Sequence, residues 1–572
     1  MKSFKLLGLS LLISASFATQ AGWDGNPQGG LGLVNVDPSG RAPLTALIEL
    51  NGAHNVSDVR IHVAGKGEGG VAIDYPVQDN SVLHYDGIPV FGLYPDHLNQ
   101  VTVHYQLAGE PRSDRYQILT QPVFGPSIDG KVRNYPEVQP VHVEPQFKDR
   151  LYWVNHLVKE NTKPIDLQWG NGGALQWSWA PVNFITDTQG EVRWYLPHQA
   201  VWDPTDPSKT GALMGVKQLD NGDVIFGQGQ RYYRMDLLGN IVFDRALPRG
   251  FADFSHEIRE MDNGHMLMRV ARKNYLRPDG ERVTTVRDHI IEVDVHGKLV
   301  EAWDLNTILD PLRDDLLKGA DRGAICLNLD LEHAGEAVII EPDAPFGDIP
   351  GVGTGRNWAH VNSVDHDPTD DSIVLSVRHQ GIVKIGRDKE VKWILAPAKG
   401  WRGDLADKVL TPLDSNGNKL RCATGHCGPD FEYSYMQHTA WLAKEKGTLM
   451  TFDNGDARNM RQPMFKKEKY SRAVEYKIDE ANMTVSQQWQ FGKERGYDWY
   501  SPITSSVNYQ ADRDTQLIYS ASAGLFEKEI QPYSLLEVGY GSDEVKVELN
   551  ILPMGKAEPS YQSVLIEADK LF

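Results

Sequence analysis

The chain has 572 residues, 41% of them hydrophobic and 24% charged, a globular composition that excludes an intrinsically disordered protein. Its formal net charge of −19 disfavours nucleic acid and anionic membrane surfaces as partners, and it obliges any anionic substrate to find a local positive site. The 53 glycines and 32 prolines show no collagen period and fit a chain of many turns and short strands.

Residues 1–21 read as a secretory signal: Lys2 and Lys5 form the charged region, 6–17 the apolar stretch, and Thr19-Gln20-Ala21 the cleavage site. That stretch is too short to span a bilayer, and no later run of about 18 apolar residues follows, so export without membrane insertion is expected. Residues 22–140 alternate polar and apolar side chains at 44–50, 59–63 and 100–106, with turn residues between, which predicts a small N-terminal β-sandwich-like domain. Residues 138–145, with Pro140 and Pro145, read as the linker to the next domain.

From about residue 180 an outer hairpin recurs, at 185–194, 233–243, 291–303, 383–393, 474–489 and 536–549. A turn followed by a strand precedes five of the six, at 219–226, 261–268, 367–375, 444–450 and 511–518. Together they imply about four strands per unit and an all-β, six-bladed β-propeller over 141–572, with two or three stacked sandwiches as the alternative. Irregular spacing puts long insertions around 305–355 and 398–435.

In a propeller the innermost strands line the channel where ligands bind. His256, His360 and His438 stand just ahead of three successive turn-strand signals, with Thr504 at that place in the next repeat. Three histidines at one structural phase are expected to converge. Arg378, on the strand after His360, is expected to reach the same mouth, and strict alternation turns His379 to the opposite face. Asp453-Asn-Gly-Asp456 lacks the rest of the EF-hand spacing and reads as a turn. The sequence contains no P-loop and no G-x-S-x-G elbow, and no Cys or Ser in a C/S-x-P-x-R context. A His and Arg cluster suits transfer of an anionic group by a nucleophilic or acid–base histidine, and it also suits a transition metal held by three histidines. Of the three cysteines, Cys422 and Cys427 suit a small-loop disulfide in an oxidising compartment or a metal site with His426; Cys326 reads as a buried free thiol.

Residues 247–257, 355–363, 376–387, 437–441 and 496–504 carry a resemblance to the bacterial arylsulfate sulfotransferases that covers nearly the whole chain. The resemblance implies a periplasmic homodimer that moves a sulfuryl group from a phenolic sulfate donor to a phenol acceptor, with no cofactor and no nucleotide sulfate donor. It implies that His438 is the nucleophile and becomes a sulfohistidine. His256, His360 and Arg378 match residues that bind the sulfuryl oxygens, and Asn362 and Thr504 match supporting polar positions. Cys422 and Cys427 match the family disulfide, which implies the periplasmic disulfide-forming machinery as a partner. Either His256 or His360 is then the general acid–base. The same residues also suit an aryl sulfate hydrolase or a non-catalytic ligand-binding propeller.

Overall fold

The computed structural model describes residues 30–572 except 51–54, 126, 129–130, 133–134, 160–178, 204, 207, 325–330, 341–342, 345, 347–354, 423–424 and 557. The expected leader and Cys326 lie outside the described residues.

The N-terminal region builds two antiparallel sheets. One joins Leu33–Val36, Ala46–Glu49 and Gly87–Val90; the other runs in the order Ile73–Val77, Val56–Val63, Leu98–Leu107, Glu110–Leu119. Along Val56–Val63, Val59, Ile61 and Val63 are buried while Asp58 and Arg60 are exposed, the period-2 pattern of a strand with one face on a core. Both sheets contribute to that core, through Ile48, Val90, Ile61 and Val103 among others.

Among the described residues, six larger sheets of four or five strands follow in chain order, beside two small two-stranded ones. The first runs Ser560–Leu565, Leu151–Lys159, Trp179–Asp187, Val192–Leu196, so a strand near the C-terminus completes it. The second runs Leu213–Gln218, Val224–Gln228, Arg231–Met235, Ile241–Ala246. The third starts at Ile258–Glu260 and continues through Met266–Arg272, His289–Val293 and Leu299–Asp304. The fourth runs Val361–Asp367, Ser372–Val377, Gly381–Ile385, Val391–Leu395. The fifth runs His438–Ala443, Thr448–Asp453, Arg472–Asp479, Thr484–Phe491, with Thr411–Pro412 added in parallel at its edge. The sixth runs Ser506–Gln510, Thr515–Ser520, Tyr533–Gly539, Val545–Leu552, Glu137–Val143.

The six expected hairpins fall on the third and fourth strands of these sheets, and the five turn-strand signals fall on second strands. The inner strands touch in a cycle, first sheet to second and onward to the sixth, which meets the first again where Thr515–Ser520 lies against Ser560–Leu565. Ser372–Val377, the second strand of the fourth sheet, is buried along its whole length.

The expected linker at 138–145 is corrected by the structure. Glu137–Val143 is the outermost strand of the sixth sheet, in register from Glu137 opposite Leu552 to Val143 opposite Val547, with an irregularity between Pro140 and His142. Proline reads as linker because it lacks an N–H, but an edge strand with a bulge loses little by that lack.

Arg193 locks the N-terminal sheets to the ring. Fully buried, it pairs with Asp187 at 2.8 Å, donates to the carbonyls of Val71 and Gly92, and lies 3.7 Å over the Tyr94 ring. A buried ion pair holds when its remaining donors are also satisfied, as they are here. No helix of the described residues is long and apolar enough to cross a membrane.

Candidate active site

The three sequence-predicted histidines occupy one structural phase. His256 and His360 immediately precede the inner strands of the third and fourth sheets, His438 opens that of the fifth, and Thr504 precedes that of the sixth. His256, His360 and Thr504 all have left-handed backbone, with φ of 72°, 52° and 54°. Such geometry costs on the order of 1 kcal/mol or more for a residue with a Cβ and persists only where surrounding structure imposes it. Here it turns the chain sharply at the mouth of each inner strand. The His256 ring then lies 5.4 Å from that of His360 and 5.7 Å from that of His438, centroid to centroid. All three are buried.

Each ring has a different partner. Nδ1 of His438 is 3.0 Å from the Ser505 carbonyl, which only accepts, so the proton sits on Nδ1 and the lone pair on Nε2. Burial, with the charges of Arg378 and Arg287, pushes this imidazole down to about 3, which keeps it neutral near pH 7. Nε2 of His360 lies 2.8 Å from Nη1 of Arg287, and its Nδ1 faces the Asn357 amide at 3.0 Å. Nδ1 of His256 meets the Ser255 hydroxyl, which also accepts from Arg269, and the His256 carbonyl accepts from the Tyr561 hydroxyl at 3.2 Å. Burial first, then Arg287, holds both His256 and His360 well below the ordinary histidine range.

Arg378 is buried and works as a clamp across four segments of the chain. Its Nη1 donates to the Met436 carbonyl and to Oδ1 of Asn454, and its Nη2 to the carbonyls of Ala324 and Pro502. Its charge still reaches all three histidines. Asn362 donates to the Gln437 carbonyl at 2.8 Å, just before His438. Oδ1 of Asn362 and Oγ1 of Thr504 are buried without a hydrogen-bond partner among the described residues.

Four residues of this cluster were missed by the sequence reasoning: Arg287, Tyr561, Ser255 and Arg269. Ser255 and Arg269 carried a signal, since one adjoins His256 and the other lies on the strand paired with it. Tyr561 lies 5.3 Å from the His438 ring but comes from the strand near the C-terminus that completes the first sheet. His379 is a correction: its ring is 4.9 Å from that of His360, and its Nδ1 reaches the Asn357 carbonyl at 2.6 Å. Strand alternation fails there because Ser372–Val377 has ended and residues 378–380 form a turn.

Cys422 and Cys427 are joined as a disulfide, with Cα atoms 4.7 Å apart, which removes both thiolates from the alternative metal set with His426. Their loop reaches the site through Gly425, whose carbonyl accepts from the Tyr435 hydroxyl, three residues ahead of His438. The turn at 453–456 is structural: Asp453 receives Arg472, Arg458 and the Tyr435 N–H, while Asn454 braces Arg378. Among the described residues no group of three or more His, Cys, Asp or Glu is arranged to hold a metal ion.

Buried histidines set among buried guanidinium groups, on a set of β-sheets with a smaller β-domain attached, form a positively charged cluster of a kind that suits an anionic group. Residues 137–562 match the family described as Arylsulfotransferase (ASST), and residues 33–121 match the Arylsulfotransferase Ig-like domain. The chain belongs to the arylsulfotransferase family. It is 47% identical to the arylsulfate sulfotransferase AssT of Escherichia coli O6:H1, over 99% of this chain and 98% of the relative. It is 48% identical to that of Lelliottia amnigena with the same coverage.

Proposed function

We propose that this chain is an arylsulfate sulfotransferase that moves a sulfuryl group from a phenolic sulfate to an acceptor phenol in two half-reactions, by way of a sulfohistidine at His438. The observation that carries the mechanism is the Nδ1 contact of His438 with Ser505, which leaves Nε2 as the bare nucleophile among three histidines of one phase. In the first half-reaction Nε2 attacks sulfur, the S–O bond breaks, and the phenolate takes a proton from a neighbouring histidine that was protonated when the anionic donor bound. In the second, the acceptor phenol gives that proton back as its oxygen takes the sulfuryl group from nitrogen. Charge on the three sulfuryl oxygens is met by Arg378 and by the donors around it, with Asn362 and Thr504 beside them.

The six sheets are then the blades of a propeller, supported by the closed cycle of inner strands and by the strand at 560–565 that joins the two ends of the ring. The expected boundary at 140/141 moves to 136/137, since Glu137–Val143 belongs to the sixth sheet, and the two domains are a sandwich and a catalytic propeller. Residues 1–21 direct the chain to the periplasm, where the disulfide machinery joins Cys422 to Cys427 and the enzyme works as a homodimer.

The test is release of 4-nitrophenol from 4-nitrophenyl sulfate, with and without added phenol, in EDTA. Release that requires phenol and yields phenyl sulfate is expected. Release without an acceptor would make the chain a hydrolase. Loss of activity in EDTA, restored by a metal, would overturn the histidine mechanism.

A further inference from the structure

Directly after His438 the chain leaves the regular ladder of its own sheet. His438 pairs with Phe452 and Trp441 with Met450, with an irregularity between them where Thr439 takes left-handed backbone at φ 65°. A β-branched residue rarely adopts that conformation, and a bulge re-aims the side chains beside it, here His438. What holds the bulged segment comes from other sheets. The Ala440 N–H donates to Oγ of Ser363 at 2.8 Å, and the Leu442 N–H to Oδ2 of Asp365 at 2.9 Å, both on the strand that follows His360. Between them, Nε1 of Trp441 donates to Oε2 of Glu257 at 3.0 Å, and Glu257 is the residue after His256.

Glu257 is completely buried and is held in turn from the second sheet. Nζ of Lys217 lies 3.5 Å from its Oε1 and 3.7 Å from the centre of the Trp441 ring. Arg259, two residues on, pairs with Asp365 at 3.1 Å. Side chains thus tie the inner strands of the second to fifth sheets together beside the histidines. The His256 and His438 rings, 5.7 Å apart, stand at the heads of the third and fifth sheets, which share no ladder among the described residues. Glu257 to Trp441 is a direct bond across that gap. Trp441 stands three residues from His438, at most about 10 Å along a strand, so it acts on that ring through the backbone.

We infer that Glu257 and Trp441 are positioning residues, whose hydrogen bond fixes the strand of the nucleophile against the strand entered from His256. The inference rests on the sulfohistidine reading above and deepens it. In-line attack tolerates little error, since a misplacement of about 1 Å can cost about 100-fold in rate. Loss of the bond falls on kcat, because the donor still meets its charges while the nitrogen no longer meets sulfur at the reacting distance.

The test uses the full-length protein and reads kcat, KM, melting temperature and the burst of 4-nitrophenol from 4-nitrophenyl sulfate without acceptor. Trp441→Phe keeps an aromatic ring beside Lys217 and removes the N–H. Glu257→Met keeps the length and removes the acceptor. Each should lower kcat and the burst rate about 100-fold while KM stays within about twofold. Glu257→Gln keeps a carbonyl oxygen for the indole and loses the charge that Lys217 meets. It should therefore melt earlier than the parent and still recover most of kcat. The double variant Glu257→Met/Trp441→Phe should lose no more in kcat than either single variant. A Glu257→Gln as slow as Glu257→Met, or single losses that multiply in the double variant, overturns the proposal. So does a kcat that simply follows the melting temperature across the set, which would mark both residues as structural. Where Glu257→Met fails to fold, the other two decide, since positioning requires Trp441→Phe to be slow and Glu257→Gln fast. If the parent transfers the group to phenol with no burst and no sulfuryl adduct on His438, the sulfohistidine reading falls, and a non-additive loss of kcat still upholds the pair.

Discussion

His438 and Ser505 meet across the fifth and sixth sheets, the ring Nδ1 donating to a carbonyl 3.0 Å away. Ser505 is itself held from the first sheet, because its N–H donates to the Tyr561 carbonyl at 3.1 Å. A ring positioned by main chain from two other sheets has its tautomer and direction set by the fold itself.

Replacing His438 with Asn should abolish transfer by at least about 10³-fold, as expected for a covalent nucleophile, and leave the fold intact. The check pairs thermal unfolding with the intact mass after 4-nitrophenyl sulfate. The parent protein should gain one sulfuryl group and the variant none.

Arg378 should behave differently, because it supports the site as well as charging it. Arg378→Met leaves three buried carbonyls and the Asn454 side chain without their donor, a loss of about 3–5 kcal/mol in stability. Urea unfolding should therefore shift along with the fall in kcat. Arg378→Lys should recover part of the activity through its charge, and less of the stability, since an ammonium cannot span four acceptors.

Acid should destabilise the protein from higher pH than carboxylates alone would cause. His156, His379 and His438 are pushed down to about 3 by burial, and His256 and His360 lie well below their ordinary range. Each binds a proton more readily when unfolded, so stability present above pH 6.5 is lost as pH falls toward 3. One unit below 6.5 the loss is about 1.4 kcal/mol per histidine. Asp456, pushed up to about 6 by burial and by Asp321, acts in the opposite sense, as do Asp37, Asp187, Asp236, Glu257 and Glu260, all raised by burial, while His198, pushed down to about 4, adds to the histidines. Melting temperatures measured from pH 8 to 5 should fall steadily below 6.5, and less so in 0.1 M sulfate if the anion fills the pocket.

Removing the Cys422–Cys427 bridge should cost about 2 kcal/mol, the value for so short a loop. The Gly425 to Tyr435 contact behind His438 should loosen with it. Double replacement by Ser should lower the melting temperature by several degrees and reduce kcat more than it changes KM.

The repeated hairpins and the phase of His256, His360 and His438 were legible because they are local. Period-2 alternation, Asp–Gly turns and a fixed distance from one histidine to the next strand survive in a single sequence, since neighbouring residues produce them. The ring's closure was not legible. Ser560–Leu565 pairs with Leu151–Lys159 across some 400 positions, and nothing in either segment names its partner. Pro140 hid a strand for the related reason that an edge position depends on what lies beside it. Arg287, Tyr561 and His379 entered the site through turns and through contacts between sheets. The sequence by itself therefore determined the strands, their grouping and the residues able to do the chemistry. Tertiary structure alone decided which partner each histidine nitrogen meets, because packing brings those partners from other sheets and loops.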